Sequence, residues 1–141
     1  MSDAAAGITS WDELEAHLKT KHQVNTFGPH LLSFSVARGD ASIGVGLRMA
    51  RSGAGTPWAV MAIKICPTEK VKSRGALVVN CDLPIGALAF LFDQAVVHQT
   101  LPIEGLLPEQ LDRTVDALVD MAVQLRGAAA GKDDPFAYMF R

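Results

Sequence analysis

The chain has 141 residues, 49% of them apolar and 20% charged, with 13 basic against 15 acidic side chains and a formal net charge of −2. That mixture suits one globular domain with its own core and leaves no basic footprint for nucleic acid. Two cysteines make no disulfide framework, residues 1–6 lack the basic and apolar regions of a secretory signal, and the longest uncharged apolar stretch, Leu83 to Phe92, is too short to span a bilayer; the expectation is a soluble, cytoplasmic protein.

After a loose lead-in, Ser10-Trp11-Asp12-Glu13 reads as a capping box, in which the serine hydroxyl accepts from the amide three residues on and Glu13 reaches back. Trp11, Leu14 and Leu18 share one helical face, with acidic residues in the first turns and Lys19, Lys21 and His22 in the last. The first helix is therefore expected over residues 10–22. The period then switches to two. Leu32, Phe34 and Val36 alternate with small or polar residues, Arg38-Gly39-Asp40-Ala41 reads as a turn, and Ile43, Val45, Leu47 and Met49 alternate again, which predicts an antiparallel hairpin. Ser52 to Pro57 breaks the chain, and Trp58 to Ile65 is a third strand, apolar on both faces apart from Lys64.

From Pro67 two readings stand. Pro67 suits the first position of a helix, and Val71, Leu77, Val78 and Cys81 could form its stripe, yet Leu77-Val78-Val79 also reads as a strand. Gly75 weakens the helix by about 1 kcal/mol relative to alanine. Pro84 to Leu101 is equally open: Ile85, Leu88, Ala89 and Phe92 fit a helix, while Phe90-Leu91-Phe92 and Val96-Val97 fit two strands around an Asp93-Gln94 turn. The last helix is plain. Pro108 stands at its first position, Leu111, Val115, Leu118, Ala122 and Leu125 form the seam, Asp112, Asp116 and Asp120 lie off it toward water, and Gly127 closes it. Residues 1–127 are thus read as one domain and 128–141 as a C-terminal tail with an aromatic end, Phe136 to Phe140.

Catalytic patterns are absent from this reading. His17, His22, His30 and His98 have no partner at metal-ligand spacing. Gly44-Val45-Gly46 lacks the third glycine of a dinucleotide fingerprint, Ser52-Gly53-Ala54-Gly55-Thr56 has no P-loop lysine, and no Gly-x-Ser-x-Gly elbow occurs. The expectation is no enzyme, no cofactor and no metal.

The run Asn80-Cys81-Asp82-Leu83-Pro84-Ile85-Gly86-Ala87-Leu88-Ala89-Phe90 resembles the helix-end, Asn, Leu-Pro-x-Gly-x-Phe entry into the fourth strand of type III secretion chaperone-like proteins. Ala95 to Pro102, Leu106 and the Leu111–Leu125 seam look like their last strand, Leu-Pro corner and closing helix. The resemblance implies an α+β fold, a twisted antiparallel sheet with helices on one side in the order α-β-β-β-α-β-β-α. It makes 67–80 the second helix and 85–92 with 95–101 a hairpin. It also implies a homodimer paired around the second helix and neighbouring strands, and a partner that is an extended polypeptide such as a segment of a secreted effector. Trp58 to Ile65 and Phe90-Leu91-Phe92 are apolar on both faces, more than the three helices of one protomer cover, so the interface is expected to draw on the second helix and the last two strands, with Phe90, Phe92 and Val97 contributing. The alternative on the same scaffold is a small-molecule-binding or signalling domain. Under this order Cys66 and Cys81 bracket a helix whose ends lie roughly 20 Å apart, far beyond the ~7 Å a disulfide allows, so free thiols are expected.

Overall fold

A computed structural model describes residues 7–141. The fold is α+β: α1 (Trp11–Lys21), β1 (Asn25–Gly28), β2 (Leu31–Arg38), β3 (Ala41–Arg51), β4 (Pro57–Pro67), α2 (Ser73–Asn80), β5 (Ala87–Leu91), β6 (Gln94–Pro102) and α3 (Pro108–Ala129), with short 3-10 turns at Thr68–Lys70 and Ala137–Met139. Six strands form one sheet in the order β1-β2-β3-β4-β6-β5. The order helix, strands, helix, strands, helix is the expected one, with one strand more: β1, whose four residues Asn-Thr-Phe-Gly are all exposed and carry no alternating pattern.

The chain divides into two compact units. One takes the described residues up to Met61 together with Thr100–Asp116, the other Ala62–Gln99 and Ala117–Arg141. In the first, β2 and β3 pair so that Leu32 opposes Leu47, Phe34 opposes Val45 and Val36 opposes Ile43. All six side chains are buried, so one face of the hairpin is core, as period-two alternation dictates. Helix α1 adds Trp11, Leu14 and Leu18, and His22 just beyond it stacks on Phe34 with ring centroids 4.5 Å apart. Its N-terminus is the expected cap: Ser10 Oγ accepts from the Glu13 N–H at 3.2 Å. Glu13 reaches back one residue further than a capping box requires, accepting from the Thr9 N–H at 2.6 Å and the Thr9 hydroxyl at 2.8 Å.

In the second unit Leu118, Val119, Met121, Ala122, Leu125 and Ala128 of α3 are buried with Ala76, Val79, Ala95, Val96 and Val97. Gly127 does not end this helix. The closing residue is Gly131, at φ +95°, where the Lys132 N–H donates to the Gly127 carbonyl and the Gly131 N–H to the Ala128 carbonyl. That is the 6→1 and 5→2 pair of a Schellman motif, which needs a left-handed residue after the last turn.

Three further boundaries differ from the sequence reading. Pro67 ends β4 in extended geometry (φ −58°, ψ 143°) instead of opening a helix, and α2 begins only at Ser73. The α2 face is turned as well: Ala76 and Val79 are buried, whereas Leu77, Val78 and Cys81 are exposed. The β5–β6 turn is Phe92-Asp93, because Leu91 pairs with Gln94.

Cys66 is buried and Cys81 exposed, both as free thiols. Burial pushes the Cys66 thiol up, only partly offset by Lys70, and the thiolate is the reactive form. Alkylation of the native protein is expected to modify Cys81 first and Cys66 only on unfolding; peptide mapping that finds equal rates contradicts this packing.

Candidate interaction surface

The surface is built from α2, β5 and the tip of the β5–β6 hairpin, all in the second unit. Helix α2 has only eight residues, and its buried stripe is Ala76 and Val79. The opposite face is therefore Leu77 and Val78, with Leu77 70% exposed. Apolar residues on both faces of a short helix are what an unpartnered contact surface looks like.

Strand β5 is the end strand of the sheet, so one edge of its backbone is open to pairing. Asn80 closes that edge at one position. Its Oδ1 accepts from the Leu88 N–H at 2.6 Å and its Nδ2 donates to the Leu88 carbonyl at 3.2 Å. Leu88 faces Val97 across the β5–β6 ladder, and the side-chain amide takes the two backbone groups that a further strand would take. This gives the asparagine of the 80–90 motif a physical role. The glycine of the same motif, Gly86, stands at φ +75° and donates its N–H to Gln99 Oε1 at 2.9 Å. A groove of about 250 Å3 runs between α2 and β5, lined mainly by Ala76, Leu77, Leu88, Ala89 and Phe90.

At the hairpin tip Phe92 adopts φ +56° and is 94% exposed. A left-handed aromatic residue is uncommon and costs of order 1–2 kcal/mol. The Thr68 N–H, donating to the Asp93 carbonyl at 2.8 Å, steadies the turn that holds it. Of the three residues singled out from sequence, Phe90 lines the groove and is part-exposed, Phe92 projects from the tip, and Val97 is 0% exposed, covered by its own chain. Leu77, Val78 and Leu91 are also exposed. For Leu77 and Val78 the sequence signal is that a helix as short as α2 cannot bury every apolar residue it carries.

The first unit holds a separate cluster of charge. His17 Nε2 lies 2.9 Å from Asp112 Oδ1, Lys21 Nζ 2.8 Å from Asp112 Oδ2, and Arg38 Nη2 3.0 Å from Asp116 Oδ1. Asp116 and Asp120 are exposed as expected, but Asp112 is half-buried beneath α1 partners that periodicity could not supply. Burial pushes the Asp112 carboxyl up, and hydrogen bonds from Lys21 and His17 together with their charges more than reverse this, leaving it below the usual range. His22 is lowered by burial against the opposing pull of Asp112 and Asp116. A lowered carboxyl stabilises the fold fully above its unfolded value of about 3.9, and the contribution is lost as pH falls through and below that value. The stability difference between the protein and Asp112→Asn is therefore expected to shrink from pH 6 to pH 3 in urea denaturation; a gap independent of pH contradicts the assignment. Among the described residues no three His, Cys, Asp or Glu side chains are grouped to hold a metal ion, and no helix is long and apolar enough to cross a membrane.

No family model matches the sequence, and no curated protein matches it. Among solved structures, the fold is similar to that of a chain in the HopA1-SchA chaperone-effector complex, with a TM-score of 0.56 and 14% sequence identity over 79% of this chain and 88% of that one. At that identity the likeness is one of fold.

Proposed function

We propose that this chain is a non-enzymatic, dimeric, chaperone-like protein of the cytoplasm that binds an extended polypeptide, as type III secretion chaperones bind a secreted effector. Residues 1–127 form the binding module and 128–141 are an addition to it. The observation that carries the reading is the exposed apolar surface of Leu77, Val78, Phe90, Leu91 and Phe92 beside the α2–β5 groove. A surface of that kind marks a site of association rather than of chemistry. Knob and groove on one patch also meet the requirement of a two-fold interface, in which the same surface serves both copies. Phe90 and Phe92 supply the contact and Val97 supports them from beneath. The likeness to a chain from a chaperone-effector complex supports a polypeptide partner, and open strand edges with apolar grooves are what holding an extended chain requires.

Sedimentation velocity at micromolar concentration tests the assembly. The protein is expected to run as two 15.0 kDa chains, and Leu77→Asp with Phe92→Asp as one. A wild-type monomer overturns the dimer.

One observation favours the small-molecule alternative. Among the described residues the buried Trp11 indole N–H has no hydrogen-bond partner, and it lies beside a cleft of about 360 Å3 that His30, Arg51 and Glu104 also line.

A further inference from the structure

The segment after α3 is bound the way a peptide ligand is bound. The Lys72 N–H donates to the Met139 carbonyl at 2.7 Å, and the Arg141 N–H donates to the Lys70 carbonyl at 2.8 Å. Val71 and Phe140 form an antiparallel bridge between these two bonds. The 3-10 turn Ala137–Met139 brings the chain to this bridge, and the two residues at it, Met139 and Phe140, are buried, at 0% and 7% exposure, while Tyr138 is 49% exposed. Backbone bonds supply the grip, and the two buried side chains anchor it.

Helix α2 is shaped for this occupant. A Cβ on Gly75 would stand 3.0 Å from Met139 Cα and 3.1 Å from its Cβ. The glycine that weakens α2 is what lets the segment lie against it. The connection leaves the segment room to move away. Helix α3 is closed by its own Schellman motif at Gly131, and residues 130–133 are exposed.

We propose that the groove along residues 70–76 is a peptide-recognition site, occupied in this state by the chain's own 136–141 segment. It takes from another chain a segment in which a methionine or large aliphatic residue closes a turn and an aromatic one follows in extended geometry. The tethered copy acts as a competitor that a partner must displace. A short tether presents it at an effective concentration of order millimolar, so a free peptide gains the site only when the resident copy is weakened. This inference stands apart from the dimer, since neither Leu77 nor Phe92 takes part in the backbone bonds.

The probe is a fluorescein-labelled synthetic peptide of residues 134–141, titrated with the full chain and followed by anisotropy. Wild-type chain is expected to bind it weakly. The Met139→Ala, Phe140→Ala chain, whose own segment has lost both buried anchors, is expected to bind it at least about tenfold more tightly, through removal of the tethered competitor. Gly75→Ala, which fills the space of Met139 in both the resident and the incoming segment, should bind it no better than wild type. If the double variant unfolds cooperatively and still ignores the peptide, or binds it no better than wild type, the site is overturned. Hydrogen exchange on the wild-type chain gives a second reading that requires no variant. The Lys72 and Arg141 amides are expected to open by local release of the segment, at least about tenfold faster than the amide of buried Val97; exchange of all three only on global unfolding makes the segment a fixed part of the fold and overturns the proposal.

Discussion

Replacing Gly86 with alanine is expected to destabilise the protein by roughly 3 kcal/mol, from about 1–2 kcal/mol for a left-handed backbone that carries a side chain and about 1–3 kcal/mol for overpacking. Both causes are local. The residue sits at φ +75°, and a Cβ there would stand 2.9 Å from Leu118 Cδ1, 2.9 Å from Val97 Cγ2 and 3.1 Å from the His98 carbonyl oxygen. The backbone atom cannot yield, and Leu118 and Val97 are both fully buried, so neither side chain has solvent to retreat into. Urea denaturation followed by circular dichroism measures the loss. A change below about 1 kcal/mol, the size of an average substitution, contradicts the close approach.

Leu118→Ala is expected to cost roughly 2–5 kcal/mol, the range for deleting a fully buried leucine. Asp116→Ala, two residues away on the same helix, is expected to cost no more than about 0.5 kcal/mol. Its carboxylate pairs with Arg38 from an exposed position, where solvent screens most of the attraction. The reverse ranking of these two variants puts the wrong face of α3 inward. Because Leu118 meets the position of the Gly86 methyl, the two large effects are not independent. Truncating Leu118 makes room for the alanine at 86, so the double variant should lose less than the sum of the single losses.

These variants also show which parts of the fold were legible in sequence and which were not. The α3 seam was legible because a 22-residue helix repeats its period many times. The β2–β3 hairpin was legible because every second residue is apolar and the opposite face is small or polar. Strand β1 was not, since four exposed residues bury nothing and leave no pattern. Pro67 fits the first position of a helix and the end of a strand equally well, and only the fold decides between them. Asp93-Gln94 has the polarity of a turn, yet the ladder places Phe92 in the loop, a position propensity assigns to glycine or asparagine.

The candidate site was legible only in part. Phe90 and Phe92 follow from the implied hairpin, while the burial of Val97 depends on Gly86 and Leu118 coming together from distant parts of the chain. The pairing of Asn80 with Leu88 links a helix end to a sheet edge across eight residues, and no local pattern encodes it. The aromatic end after α3 was legible as a cluster, but its place against α2 was not. Gly75 marked the place as a flaw in a helix, and its meaning appears only with Met139 against it.

The measurement that bears most directly on the central claim is native mass spectrometry of the protein isolated from its own cells without denaturation. The account predicts a complex of two 15.0 kDa chains carrying a polypeptide, with the single chains and the polypeptide separating on collisional activation. A lone chain, or one carrying an adduct of small-molecule mass, contradicts it and returns the function to the cleft beside Trp11.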